Sequence, residues 1–417
     1  MTILLAAQLV LALQTSAAAD GPWFDNNRQF RSDDPKLNAR RSAHFRIVWG
    51  QGLGEGGVAG DYGRVTEQLV QANLQFLEKI WKHYHGNLGF HMPRQSSNPS
   101  QRDGKNYRGT LVLHNTGIWE GGAWGTCDEW GIPLFAMSPP FLATDPPSSA
   151  TPYEYAHTVW INAAGFNDTP YDGMWHESMA NWSALQYNNS YPVPGGVGNQ
   201  PYLSQPHGRN YYDAWQIWEC LREDKRFGIP FINRLWLEAK GREKEYLFDA
   251  MTRLWPVPEP DPKNAVKDLL GRMASRAVTW DYERGVYFRN SSPRFADFFN
   301  DIYRRGYTEL ERSGDSADWF RCPLEMAPQQ GGYNLIPIAL PGKKGGGYRV
   351  TVDFKPFWDP ARGSDYRATL VAVNDNEEPR YSSMWNQGKN SMTLCRDENK
   401  LYLVVAATPD LWPFNGF

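Results

Sequence analysis

Glu154 and His157 stand three residues apart in the run Tyr153-Glu154-Tyr155-Ala156-His157, and Glu177 follows His157 by 20 positions. A carboxylate and an imidazole on one helix, with a second carboxylate from a neighbouring helix, are the parts needed for metal-assisted hydrolysis of a peptide bond. In such a site two imidazoles at i and i+4 project from one helical face and reach one metal. A glutamate at i+1 then points at the metal-bound water and takes its proton. His157 meets the i+4 requirement, Glu154 the i+1 requirement, and Glu177 stands where the third ligand would come from. The first corner departs from the pattern, because Tyr153 stands where an imidazole is required. The spacing implies Zn2+ as cofactor, with His157, Glu177 and Tyr153 around it and Glu154 as general base.

Tyrosine at that corner changes the chemistry. A neutral phenol is a poor ligand, and deprotonating it at neutral pH from a reference pKa near 10 costs about 4 kcal/mol unless the metal offsets it. Either the phenol ligates as a phenolate, giving a weak or altered site, or it fills the pocket and zinc is absent. Hydrolysis would also need a hydrogen-bond donor toward the developing oxyanion, and Tyr211, Tyr212 and His207 are the candidates, at or just before the next helix. Each of the three is equally compatible with ordinary packing at a helix start.

Two other registers compete for the same residues. Thr151-Pro152-Tyr153-Glu154 has the form of a helix start, with Thr151 as cap, Pro152 in the first turn and Glu154 as capping-box partner. A metal motif begun at His176-Glu177 fails, because its i+4 position is Ala180. His176 lies about 100° around the helix from Glu177 and is assigned to packing or to the surroundings of the site.

The elements that must position these groups are legible as patterns. Residues 44–49 (HFRIVW) alternate as a strand, and 65–84 carry apolar residues at helical spacing. A second strand is expected over 107–114, a glycine-relieved edge strand from Gly121-Gly122-Ala123-Trp124-Gly125 onward, and a third strand over 132–137. A breaker-rich link at 138–149 precedes the two helices bearing Glu154 and Glu177, and a turn through Gly165 and Pro170 lets the second fold back on the first. Helices are expected to open at residues 211–215 and over 227–239, with an interruption at 256–262. From about Leu335 the pattern turns to short alternating strands at 348–354, 366–373 and 401–406, expected to form a small β-sandwich. The boundary is expected between Cys322 and Gly332, with a protease cutting between Cys322 and Leu335.

The first 19 residues combine an apolar stretch with Ala17-Ala18-Ala19, the pattern of a signal peptide, so export is expected, with a secreted, extracellular mature chain. Net charge is -3 with no long block of one sign, which excludes a nucleic-acid footprint and a polybasic membrane patch. The 18 Trp, 21 Tyr and 20 Phe supply a large core and would also suit a peptide- or sugar-binding groove. No carboxylate pair at a readable spacing supports glycan cleavage. Four cysteines in an exported chain allow three connectivities, and sequential pairing would give one bridge in each half. Sequons stand at Asn167, Asn181, Asn188 and Asn290.

Taken together, YEYAH and WHESMANW resemble the HExxH and downstream Glu elements of gluzincin metallopeptidases, in the order that class uses after an edge strand. More narrowly, HFRIVWG, Tyr211-Tyr212-x-x-Trp215 and Leu401-Tyr402-Leu403-Val404-Val405 resemble the secreted virulence/avirulence proteins of plant pathogens, Svx/AvrXca type. The resemblance covers nearly the whole mature chain. It implies an α+β fold: a thermolysin-like peptidase domain over 20–330, mixed strand and helix over 44–162 and helical over 170–311, with a β-sandwich over 335–417. It also implies a zinc-dependent metalloendopeptidase, weakened or lost at Tyr153, acting on extracellular or cell-wall proteins or glycoproteins. The alternative is a catalytically inactive binding or effector protein on the same fold. A monomer is expected, with neither nucleic acid nor membrane as partner.

Overall fold

The computed structural model describes residues 21–51, 65–142, 148–166, 173–188, 200–205, 207, 211–291, 306–314, 319–341, 347–359, 361 and 363–410. The expected signal peptide and the sequon at Asn167 lie outside the described residues.

A five-stranded sheet organises the first half. Its strands are β1 (Leu37–Arg41), β2 (Phe45–Gly50), β3 (Gly109–Leu113), β4 (Ala123–Cys127) and β5 (Pro133–Met137), in the spatial order β1-β2-β3-β5-β4. The three inner strands run parallel, while β1 and β4 are antiparallel to their neighbours at the two edges. Parallel strands need cover on both faces, and β3 and β5 accordingly read as unbroken apolar runs, GTLVL and PLFAM, with every residue buried. Successive side chains go to opposite faces. Phe45, Ile47, Leu111, Leu113, Phe135 and Met137 join the main core, whereas Val48, Val112, Leu134 and Ala136 pack with Phe30 on the other side.

Helices fill the main-core face. The expected helix over 65–84 is α1 (Glu67–Trp81), started by Thr66, whose hydroxyl accepts from the Leu69 N–H, and extended by a wider turn over Lys82–Asn87. Next come α2 (Ala150–Asn162) and α3 (Gly173–Tyr187). The capping-box register is overturned. Ser149 flanks α2 without a side-chain cap, and Thr151 and Pro152 lie inside its first turn, where the missing proline N–H costs nothing because that turn has no intrahelical acceptor. Residues 211–213 form a 3-10 turn, so the next helix, α4 (Gln216–Glu223), begins later than the aromatic pattern suggests. α5 (Gly228–Glu238), α6 (Leu247–Arg253) and α7 (Pro262–Arg276) follow, with the interruption between α6 and α7 where prolines cluster. Helix does not persist to residue 311, because Glu311–Arg312 pairs with Phe320–Arg321 as a small hairpin.

The C-terminal strands are β6 (Tyr333–Pro337), β7 (Arg349–Phe354), β8 (Tyr366–Asn374), β9 (Pro379–Tyr381), β10 (Gly388–Thr393) and β11 (Glu398–Ala407). They form a four-stranded antiparallel sheet, β6-β11-β8-β9, and a separate β7-β10 pair. Along β8, Ala368, Leu370 and Ala372 face a cluster completed by Val350, Val352 and Met392 of that pair. The alternate residues Val371 and Val373 join the main helical core, together with Val404 and Ala406 of β11. Helix α7 rests on this face so closely that a Cβ at Gly271 would come within 2.6 Å of the Arg367 Cβ. Across the contact Lys267 reaches Asp365 at 2.8 Å, and Arg367 reaches Asp268 at 2.6 Å.

The chain is therefore an α+β protein, and no helix among the described residues is long and apolar enough to cross a membrane. No disulfide links the four cysteines, so the sequential pairing is not formed. Their surroundings account for this: the Cys127 thiol faces the Thr158 carbonyl, Cys220 lies buried beside Tyr282, Cys322 faces the Met326 carbonyl, and Cys395 is exposed.

Candidate functional site

Helix α2 is buried on nearly every side, which fixes what its residues meet. Tyr155 points toward the sheet, its ring 5.0 Å from Phe45, and its hydroxyl lies 2.7 Å from the His85 Nε2. Trp160 donates from its indole to the Ser183 hydroxyl of α3 at 3.0 Å. Edge strand β4 closes over the remaining face. At Gly125 a Cβ would lie 2.1 Å from the Glu154 carbonyl oxygen and 2.8 Å from the His157 Cβ, so only glycine permits this approach. Gly125→Ala must push β4 away from α2. The expected result is a loss of about 2 kcal/mol of stability, read by urea denaturation, because overpacking a close contact costs about 1–3 kcal/mol.

Between β4, α2 and α3 lies an open cavity of about 630 Å³ whose lining includes Tyr153, Glu154, His157, Glu177 and Tyr212. The four residues of the expected site thus converge on one point. The His157 Nε2 lies 3.3 Å from the Glu177 Oε2, and the Tyr153 ring packs edge-on against the His157 ring with centroids 4.7 Å apart. The Tyr153 hydroxyl donates a hydrogen bond to that same Glu177 Oε2. His176 also lines the cavity, its ring 4.7 Å from Trp236, in keeping with a packing assignment.

Of the three donor candidates only Tyr212 lines the cavity. Tyr211 packs against it with the rings tilted and centroids 4.4 Å apart, and His207 lies outside the lining. The Tyr212 carbonyl accepts from the Asn181 side chain at 2.8 Å, which gives that sequon amide a place in the fold. Sequence reasoning missed Trp124 and Phe141, which line the cavity from β4 and from the turn after β5. The glycine-rich run around Trp124 was the available signal.

Electrostatics separate the two carboxyls. Burial pushes Glu154 up to about 7, with His157 pulling it down and the Glu177 charge adding to the rise. Burial works to raise Glu177 as well, but the hydrogen bond and charge of His157, together with the Tyr153 hydroxyl, outweigh it and hold Glu177 below the usual carboxylate range. Burial, and then the Glu177 charge and hydrogen bond, drive the Tyr153 phenol far above its ordinary value. Tyr212 is pushed up to about 12, by burial first and Glu177 second.

These groups do not fit a zinc ion well. Zinc in such sites takes imidazole, thiolate or carboxylate donors, and among the described residues no group of three or more His, Cys, Asp or Glu is placed to hold a metal. Where Tyr153, His157 and Glu177 meet, the donors are one imidazole, one carboxylate and a phenol that keeps its proton and hydrogen-bonds that carboxylate.

The fold and cleft define an α+β protein with a buried acid and imidazole and a half-buried phenol at the floor of an open groove. By sequence the chain belongs to the family of unknown function DUF6055, whose profile matches residues 16–413. Comparison with curated proteins finds no match.

Proposed function

We propose that this chain is a secreted protein on a thermolysin-like, gluzincin scaffold that holds an extracellular or cell-wall polypeptide in its cleft, with zinc-dependent endopeptidase activity lost at Tyr153. The observation that carries the reading is the hydrogen bond from the Tyr153 hydroxyl to Glu177, which engages the expected third ligand at the corner where an imidazole is missing. The scaffold is supported by the antiparallel edge strand β4 lying against α2, with Glu154 and His157 on α2 and Glu177 on α3. The shared apolar cluster of the C-terminal sheet and the β7-β10 pair supports a β-sandwich there.

Glu154 favours a second reading, a residual endopeptidase, because a carboxyl near 7 beside His157 is in the range of a general base. The test uses the secreted protein. On the first reading zinc is well below one per chain, and a reduced, unfolded protein is bound but not cut, with binding unchanged by a chelator. Cleavage that a chelator stops would establish the second reading instead. Failure to bind unfolded protein at all would remove both.

A further inference from the structure

We infer that the cleft receives a basic side chain, Lys or Arg, of the bound polypeptide, with Glu154 and Glu177 as its acceptors. This rests on the polypeptide-binding reading and names what that polypeptide must carry. Glu154 is only 5% exposed, yet among the described residues its carboxyl makes no hydrogen bond and no ion pair; His157 and Glu177 act on it only through space. A buried carboxyl without a partner is costly, and one that lines an open cavity can take a donor from outside. The lining fixes the sign of that donor. Two carboxyls face the cavity beside the imidazoles of His157, already paired with Glu177, and His176, and no Lys or Arg of the chain does so among the described residues.

The walls suit the same guest. Trp124 and Phe141 line the groove, and Phe141 and Tyr212 are 42% and 44% exposed, large aromatic surfaces left open at its mouth. Aromatic faces attract ammonium and guanidinium groups, more so when desolvated. The stem of Lys or Arg can lie along such rings while its charged head reaches the floor. A cavity of about 630 Å³ leaves room for the residues on either side of the basic one.

The test is fluorescence-polarisation binding of three labelled decapeptides that are identical except for a central Arg, Lys or citrulline, measured on the full-length secreted protein with a chelator present. The Arg and Lys peptides are expected to bind at least tenfold tighter than the citrulline peptide. Glu154→Gln, whose fold is checked by its thermal melt, is expected to weaken the Arg peptide several-fold toward the citrulline value, and an unchanged Arg peptide would remove Glu154 as an acceptor and overturn the inference. Equal affinity of all three peptides on the unaltered protein would overturn the inference while leaving polypeptide binding intact. A preference present only without chelator would assign the cation to a metal and overturn it too. No binding by any peptide would overturn both the inference and the reading beneath it.

Discussion

Tyr153→His is expected to bind zinc at least roughly a thousandfold tighter than the parent chain, because it removes a cost of about 4 kcal/mol for ionising a phenol at neutral pH. The parent cost is larger still, since burial and the Glu177 charge drive this phenol upward. Histidine at position 153 would project from the same face of α2 as His157, one turn away, and would free the Glu177 oxygen that now accepts from the phenol. Direct metal analysis and competition with a chromophoric chelator measure the effect. If the scaffold is that of a peptidase, the variant also gains chelator-sensitive cleavage of unfolded protein, and adding Glu154→Gln abolishes the cleavage without releasing the metal. Unchanged zinc affinity in Tyr153→His would remove Tyr153 from the ligand position, and with it the role assigned to Glu154.

Glu219→Ala is expected to cost about 3–5 kcal/mol of stability, the largest loss foreseen for any single side chain here. Glu219 is fully buried on α4 and accepts from the Trp182 indole at 2.7 Å and the Gln186 amide at 2.9 Å, both on α3, while Arg222 reaches its other oxygen at 3.0 Å. Truncation strands two buried donors and leaves Arg222 the partner of fewer acceptors. Glu219→Gln, which keeps one acceptor oxygen and the shape, is expected to lose less than half as much. Chemical denaturation of the two variants against the parent reads the difference, and equal losses would reduce the carboxylate to packing.

Much of the frame was legible because it rests on local periodicity. The strands now labelled β2, β3 and β5, the long helix α1 and the switch to alternating strands from about Leu335 all announce themselves by which residues are apolar and how they are spaced. The grouping of Tyr153, Glu154, His157 and Glu177 was legible for a different reason: helical geometry puts 153 and 157 on one face, and the chain between α2 and α3 is short. What was not legible depends on distant partners. Nothing local says that Tyr153 hydrogen-bonds Glu177, that Tyr212 and not Tyr211 turns to the cleft, or that the cysteines sit apart. The helix start was misplaced because Thr-Pro-x-Glu has the composition of a cap, while the chain enters α2 at Ser149, so that this composition falls inside the first turn. The wall formed by Trp124 and Phe141 belongs to segments that sequence marks only as edge and turn.

The packing of α7 on the C-terminal sheet has a consequence for what a cut in the chain would do. Leu324, 89% exposed in the turn ahead of β6, is an open target for a protease. Yet Val371, Val373, Val404 and Ala406 on the far side of that cut are built into the same apolar core as the helices before it, and Lys267 and Arg367 are ion-paired across the contact. Scission there removes one covalent bond and none of these contacts. The halves should stay together as a noncovalent complex through gel filtration, and part only when denaturant dissolves the core they share.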